Sequence, residues 1–176
     1  MKITLKMLRK LFSCKDQLAL FASTFPNGAI WPNDNEKAAR AGLIVDALVI
    51  KLKLSGICHS YYDNGQAYSE CTYKDGKLVG LYRHWYENGN LSSERTVENG
   101  NYIGLCRWWY ENGIIAEEYT MTAISRDGLY RHWHENGQLC AEFTYKNGIR
   151  DGLYQEWDEN GNILYKIFYK DGKELQ

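Results

Sequence analysis

From Gly56 onward, polar and apolar residues alternate in short segments that glycine interrupts at regular intervals. "LYRHWY" (81–86) and "LSSERTV" (91–97) show the grammar: too short for helices, and rich in aromatic and β-branched residues. Asn-Gly or Asp-Gly pairs stand between such segments, the strongest short-range hairpin signal. Ahead of Gly56 the apolar residues instead fall at helical spacing. Leu5, Leu8, Leu11 and Phe12 suit one short helix, and Leu18, Leu20, Phe21 and Phe25 suit a second opened by Ser13. A third helix can start after "WPND" (31–34), with Asn33 or Asp34 as cap and Gly42 at its end, and "LIVDALVIKLKL" begins a fourth.

The interruptions have a fixed period. Gly56, Gly80, Gly104, Gly128 and Gly152 recur every 24 residues, and so do Gly65, Gly89, Gly113, Gly137 and Gly161, each preceded by Asn. A third column holds Gly76, Gly100, Gly148 and Gly172, broken once by Ile124. The chain therefore divides into a helical N-terminal cap, 1–55, and a repeat region, 56–176. The repeats are 56–79, 80–103, 104–127, 128–151 and 152–175. Two strands and two tight turns per unit predict an antiparallel meander of ten strands, an elongated ribbon, mainly β with a small α-helical cap.

A register follows if Asn88-Gly89 is a two-residue type I′ loop. Arg83 then faces Glu94 and Trp85 faces Ser92. Arg107 faces Glu118, Trp109 faces Ala116, Arg131 faces Glu142 and Trp133 faces Cys140. The equivalent pairs at the two ends are His59 with Glu70 and Gln155 with Lys166. Opposite charges and large–small matches coincide, as cross-strand packing requires. An Arg, a Trp and a Glu written into successive units therefore do a structural task that every repeat shares. In the third unit, "YTMTAISRDG" replaces the usual turn. It predicts either a drifted turn or an irregular loop that bends the ribbon or exposes Met121 and Ile124 to a partner.

Composition adds limits. With 44% hydrophobic residues the chain is no disordered polymer, and it has no 18-residue apolar run for a membrane span. Residues 1–55 carry nine Lys/Arg against four Asp/Glu, whereas 56–176 carry twelve against eighteen. A basic head on an acidic array suits docking on its own first hairpin as a cap. Its scattered cations and lack of a recognition helix argue against nucleic acid. In "MKITLKMLRKLFSC", Arg9 and Lys10 interrupt any signal-peptide core, and Phe12 is too bulky for a lipoprotein cleavage site. The reading is an unprocessed cytoplasmic protein. Cys14, Cys58, Cys71, Cys106 and Cys140 form no CxxC pair and read as free thiols.

"GLYRHWYENGNLSSE", "GLYRHWHENGQLCAEFTYKNGIRDG" and "GLYQEWDENGNILYKIFYKDGK" closely resemble the MORN-repeat variant common in bacteria. The resemblance covers 56–175. It implies the β-meander fold and brings no catalytic residue. Bacterial proteins of this type are often labelled antitoxins, and the wider class is linked to protein scaffolding and phospholipid contact. "SCKDQLALF" with "NEKAARAGL" is similar to a short helical leader at the front of many phage and bacterial proteins.

Chemistry is weighed against structure on spacing. His132 and His134 share a strand face, but His84 lies two repeats away, so a third metal ligand is missing. Cys58 and His59 are neighbours in a strand and point to opposite faces. No glycine opens a helix as a phosphate loop would. Neither an enzyme, a cofactor nor a metal site is expected. What remains is a binding surface, an aromatic row of Tyr82, His84, Tyr86, Trp108, Tyr110, His132 and His134. The expected function is a non-catalytic adaptor binding another protein, in the form of an antitoxin, immunity or phage anti-defence protein. The alternatives are a phospholipid-binding module, which the acidic repeats oppose, and a purely structural homo-oligomer.

Overall fold

The computed structural model describes residues 2–4, 7–8, 15–25, 27, 29–30, 50 and 52–175. Met7 and Leu8 are helical, and the rest of the first expected helix lies outside the described residues, as do Ser13, Cys14 and nearly all of the third and fourth. The second expected helix is present as α1 (Lys15–Thr24). Two short strands absent from the sequence reading, β1 (Lys2–Ile3) and β2 (Ala29–Ile30), pair antiparallel on either side of it.

The chain forms two compact units, Met1–Tyr82 and Arg83–Gln176. The first contains α1, β3 (Gly56–Tyr61), β4 (Ala67–Lys74) and most of β5 (Lys77–Trp85). Its core is one hydrophobic cluster joining Phe21 of α1 and Phe25, just past its end, to Leu54, Cys58, Cys71 and Tyr73, with Tyr82 packed at its margin. The thiols contribute as small apolar side chains, which suits Cys at buried positions.

The second unit holds β6 (Leu91–Glu98), β7 (Asn101–Trp109), β8 (Ile115–Met121), β9 (Arg126–Trp133) and β10 (Leu139–Lys146). It closes with β11 (Ile149–Arg150), β12 (Gly152–Trp157), β13 (Ile163–Lys170) and β14 (Lys173–Leu175). Strands β3 to β14 follow the chain through one 12-stranded antiparallel meander, with β11 a side branch on β10. Twelve strands replace the expected ten for two local reasons. Asp151 splits what would be one strand into β11 and β12, and β14 adds a hairpin arm after Asp171-Gly172.

The two turn columns are chemically different, which corrects the uniform type I′ expectation. At Asp75-Gly76, Asn99-Gly100, Asn147-Gly148 and Asp171-Gly172 both residues have positive φ, as type I′ demands. At Asn88-Gly89 only the glycine does (φ 89°). Gly89 N–H donates to the Tyr86 carbonyl at 2.9 Å, and Tyr86 N–H donates to the Asn90 carbonyl at 2.8 Å. These bonds enclose a three-residue loop, Glu87–Gly89, with the glycine in the left-handed position of a G1 bulge. Asn88 stays right-handed because its side chain has other partners: its Oδ1 accepts from Asn90 N–H.

The longer loop displaces the register by one residue, and a bulge restores it. Trp109 pairs with Ile115 and Trp108 with Glu117, leaving Ala116 as the extra residue. Likewise Trp133 pairs with Leu139 and His132 with Ala141, leaving Cys140. The expected Trp109–Ala116 and Trp133–Cys140 partnerships are thus replaced, while Arg107–Glu118, Arg131–Glu142, His59–Glu70 and Gln155–Lys166 stand as expected. In the third unit the turn at Ala123-Ile124 stays short. Thr122 N–H donates to Ser125 O at 2.8 Å, and Thr122 Oγ1 accepts from Ser125 N–H. Ile124 stands fully out at the tip, whereas Met121 is half-buried.

Candidate functional site

Alternation along each strand and the register across strands sort the side chains of 83–176 onto two faces. One carries a continuous row of charge. Glu94 pairs with Arg107, Arg107 with Glu118, Glu118 with Arg131, Arg131 with Glu142, Glu142 with Gln155, and Gln155 with Lys166. Arg83, Arg107 and Arg131 each donate from Nε to a glutamate Oε2 at 2.8 Å, within the hairpins. Each charge between Glu94 and Arg131 is therefore flanked by the opposite sign. Leu105 and Leu129 are exposed one step along the same face.

The other face is aromatic. Trp108 stacks on Tyr119 (5.0 Å between centroids), Tyr119 on Tyr130 (6.0 Å), and Tyr130 on Phe143 (4.4 Å). Phe143 continues to Tyr154 at 5.3 Å. Arginines stand over these rings: Arg126 lies 4.1 Å from the Tyr119 centroid and Arg150 4.7 Å from that of Phe143. Arg95 lies 5.6 Å from the Trp108 ring. A guanidinium over a ring is held by the ring quadrupole; Arg126 also bonds the Tyr119 and Tyr145 side chains, and Arg95 donates to the Ser93 hydroxyl. Glu117 lies 3.7 Å from Arg126 and moderates this positive charge. Burial, reinforced by the Glu117 carboxylate, pushes the Tyr130 phenol far above its ordinary range. Tyr154 is pushed up to about 12 by burial and by the bond its hydroxyl donates to Glu156. Cys106 is buried on this face; burial raises its thiol, and Arg95 and Arg126 pull the other way. The phenols and this thiol are thus neutral at physiological pH and act as donors and packing groups, without a poised nucleophile.

The seven residues expected at the site divide by role. Tyr86 and Tyr110 donate through their hydroxyls to the carbonyls of Trp109 and Trp133, at 2.6 and 2.7 Å. His134 Nε2 meets the Trp157 carbonyl at 3.0 Å in the same place. These three tie one repeat to the next. Tyr82 packs against the first unit's core, and His84 is half-buried. Trp108 and His132 stay in the aromatic face, flanking Glu117 on its two neighbouring strands, and Tyr110 Oη lies 3.3 Å from His132 Nε2. The sequence reading missed Tyr119, Tyr130, Phe143, Tyr154 and the three arginines. The pairing rule already set Tyr119 opposite Cys106, so following it beyond the Arg–Glu pairs would have found the stack.

Asparagines reinforce the repeat stitching at the turns. Asn88, Asn112 and Asn136 each donate from Nδ2 to the carbonyl of Glu111, Glu135 and Glu159, one repeat ahead. Among the described residues no group of three His, Cys, Asp or Glu side chains is placed to hold a metal ion, and no helix is long and apolar enough to cross a membrane.

The family model described as MORN repeat variant matches five segments, 54–75, 78–99, 102–122, 126–147 and 150–171. They start two residues ahead of the glycine-based division, so each match contains one whole Asn-Gly turn and ends at the next turn. No curated protein matches the chain.

Proposed function

The chain belongs to the MORN repeat variant family, and from that premise we propose that it is a non-catalytic module that binds another protein through the aromatic face of residues 83–176. The observation that carries this reading is the ring stack from Trp108 to Tyr154 with Arg95, Arg126 and Arg150 over it. Tyr, Trp and Arg are the side chains that most often anchor protein interfaces. Within 83–176 no second layer of described structure covers them. Trp108 and His132 are the anchors, the arginines select carboxylates, and Tyr86, Tyr110 and His134 hold the surface in register.

An antitoxin, immunity or phage anti-defence role is the specific form of this activity: a rigid face that occupies a target protein and blocks it. The free thiols of Cys58, Cys71, Cys106 and Cys140 suit a reducing, cytoplasmic setting.

The test begins with the partner captured from the native host. Trp108→Ala and Arg126→Gln should each weaken binding by about 1 kcal/mol or more, with a melting temperature near the parent's. Salt-sensitive pelleting with anionic liposomes in place of protein capture would favour the phospholipid reading instead. Unchanged affinity in both variants would remove this face from consideration.

A further inference from the structure

The register treats the thiols of the described residues differently. Cys106 faces Tyr119, and Cys140 is the extra residue of a bulge. Cys58 and Cys71, by contrast, face each other directly across β3 and β4. Opposed residues of an antiparallel pair share one face of the sheet, and here both sit in the core cluster with Phe21, 1% and 3% exposed. The Cys71 thiol already leans towards β3, donating to the Cys58 carbonyl at 3.9 Å. Packing alone does not require this pairing. The same two columns hold Tyr82 and Arg95, Cys106 and Tyr119, Tyr130 and Phe143, then Tyr154 and Ile167, so only the first repeat sets two thiols there.

The spacing suits a covalent link. Opposed Cα atoms in an antiparallel pair lie about 4.5 or 5.5 Å apart, according to whether hydrogen bonds join them, and a disulfide accepts about 4.4–6.8 Å. Either case lets the bond form without shifting one strand along the other. The Cβ atoms of opposed residues stand about 4.5–5.5 Å apart, against about 3.5–4.5 Å in a disulfide. Closing that gap costs strain, and a strained disulfide is readily reduced. The geometry therefore suits a reversible link rather than a permanent staple.

We propose that Cys58 and Cys71 are a disulfide-forming site whose oxidant is a low-molecular-weight disulfide. The thiolate of one cysteine attacks the small disulfide, which gives a mixed disulfide and releases one small thiol. The thiolate of the other cysteine then attacks the protein sulfur of that mixed disulfide. The Cys58–Cys71 bond forms, the second small thiol leaves, and each cysteine proton ends on a released thiol. Two protein thiols are oxidised and one S–S bond of the oxidant is reduced. Burial sets the pace: the sulfurs are reached when β3 and β4 part locally from Phe21 and Phe25, and reclosing shields the new bond. The site is independent of the aromatic face from Trp108 to Tyr154.

The probe is oxidised glutathione on the full chain, followed by alkylation of the remaining thiols in denaturant and digestion with trypsin. Cys58 and Cys71 share one tryptic peptide, 54–74, because no Lys or Arg lies between them. That peptide should pass from doubly alkylated to unalkylated and lighter by two hydrogens, while the peptides bearing Cys106 and Cys140 stay alkylated. Dithiothreitol should restore the doubly alkylated form. Cys71→Ala should yield no unalkylated 54–74 peptide; if that variant does not fold, the peptide from the unaltered chain decides the matter. The proposal fails if 54–74 stays doubly alkylated, or if it carries glutathione or a different cysteine instead of the internal bond. It fails also if Cys106 and Cys140 lose their alkylation as fast, since opposition across β3 and β4 would then confer no selectivity.

Discussion

The Tyr110 hydroxyl donates to the backbone carbonyl of Trp133, 2.7 Å away and 23 residues further along the chain. Tyr86 does the same to Trp109, and His134 to Trp157, so one side-chain position carries the coupling between consecutive repeats. Asp158, next in the column, accepts instead from Asn160 and Asn162 within its own turn, and the coupling stops there. Tyr110→Phe keeps the ring and removes only the donor. We expect a loss of about 0.5–1.5 kcal/mol, read as a lower urea midpoint with unchanged slope. No loss would mean that the bond merely accompanies the packing.

The charge row makes a prediction that isolated pairs would not. If Arg107–Glu118 were a separate pair, exchanging the two charges would restore the stability lost in either single variant. In the row, however, Arg107→Glu also faces Glu94, and Glu118→Arg also faces Arg131. The double exchange should therefore recover little of the roughly 0.2–1 kcal/mol that each single change costs. A six-position inversion that also exchanges Arg83 with Glu94 and Arg131 with Glu142 keeps opposite signs in all three hairpin pairs and between them, and should recover more. Full recovery in the double variant would show the pairs to be independent.

Alkaline stability should depend on Tyr154. Its phenol titrates near 10.0 in an unfolded chain and is pushed up to about 12 in the fold, first by burial and then by the Glu156 carboxylate. Below pH 10 it is protonated in both states and contributes no pH dependence. Above pH 10 the native state binds more protons than the unfolded one, so stability falls until about pH 12. Melting temperatures taken between pH 9 and 12 should decline less steeply in Tyr154→Phe than in the parent; equal slopes would place the titration elsewhere.

Gly100 and Gly148 offer a matched comparison in the type I′ column, with φ of 82° and 81°. An added Cβ meets nothing within 4 Å at Gly100, but lies 3.2 Å from Ser125 Cβ at Gly148. Alanine at either position should cost about 1–2 kcal/mol for its left-handed backbone, and Gly148→Ala should lose more. Equal losses would indicate that the Ser125 turn moves aside freely.

The fold was legible because 24-residue glycine columns fix both turn positions and, through alternation, both faces. The Arg107–Glu118 and Arg131–Glu142 pairs follow directly. The bulges at Ala116 and Cys140 were not legible, because Asn-Gly is the signature of both a two-residue and a three-residue loop. What separates them is the Asn112 side chain, whose Nδ2 reaches Glu135 O in the next repeat, and such a contact has no sequence mark. The candidate site was read in part: Trp108 and His132 fall on the aromatic face, but Tyr110 and His134 serve the backbone. The arginines were hidden because Arg126 and Arg150 occupy a column held by Tyr102 and Leu78 in earlier repeats. Their contacts with rings seven residues back along the chain, Arg126 over Tyr119 and Arg150 over Phe143, show what they do.

Site-specific photo-crosslinking in the native host tests the central claim most directly. A benzophenone side chain is installed at Trp108 or His132 on the aromatic face, and at Leu105 or Leu129 on the charged face, both already exposed. A protein-binding aromatic face predicts the same partner adduct from Trp108 and His132 and none from Leu105 or Leu129. Adducts confined to the Leu105 and Leu129 positions, or absent from all four, would contradict it.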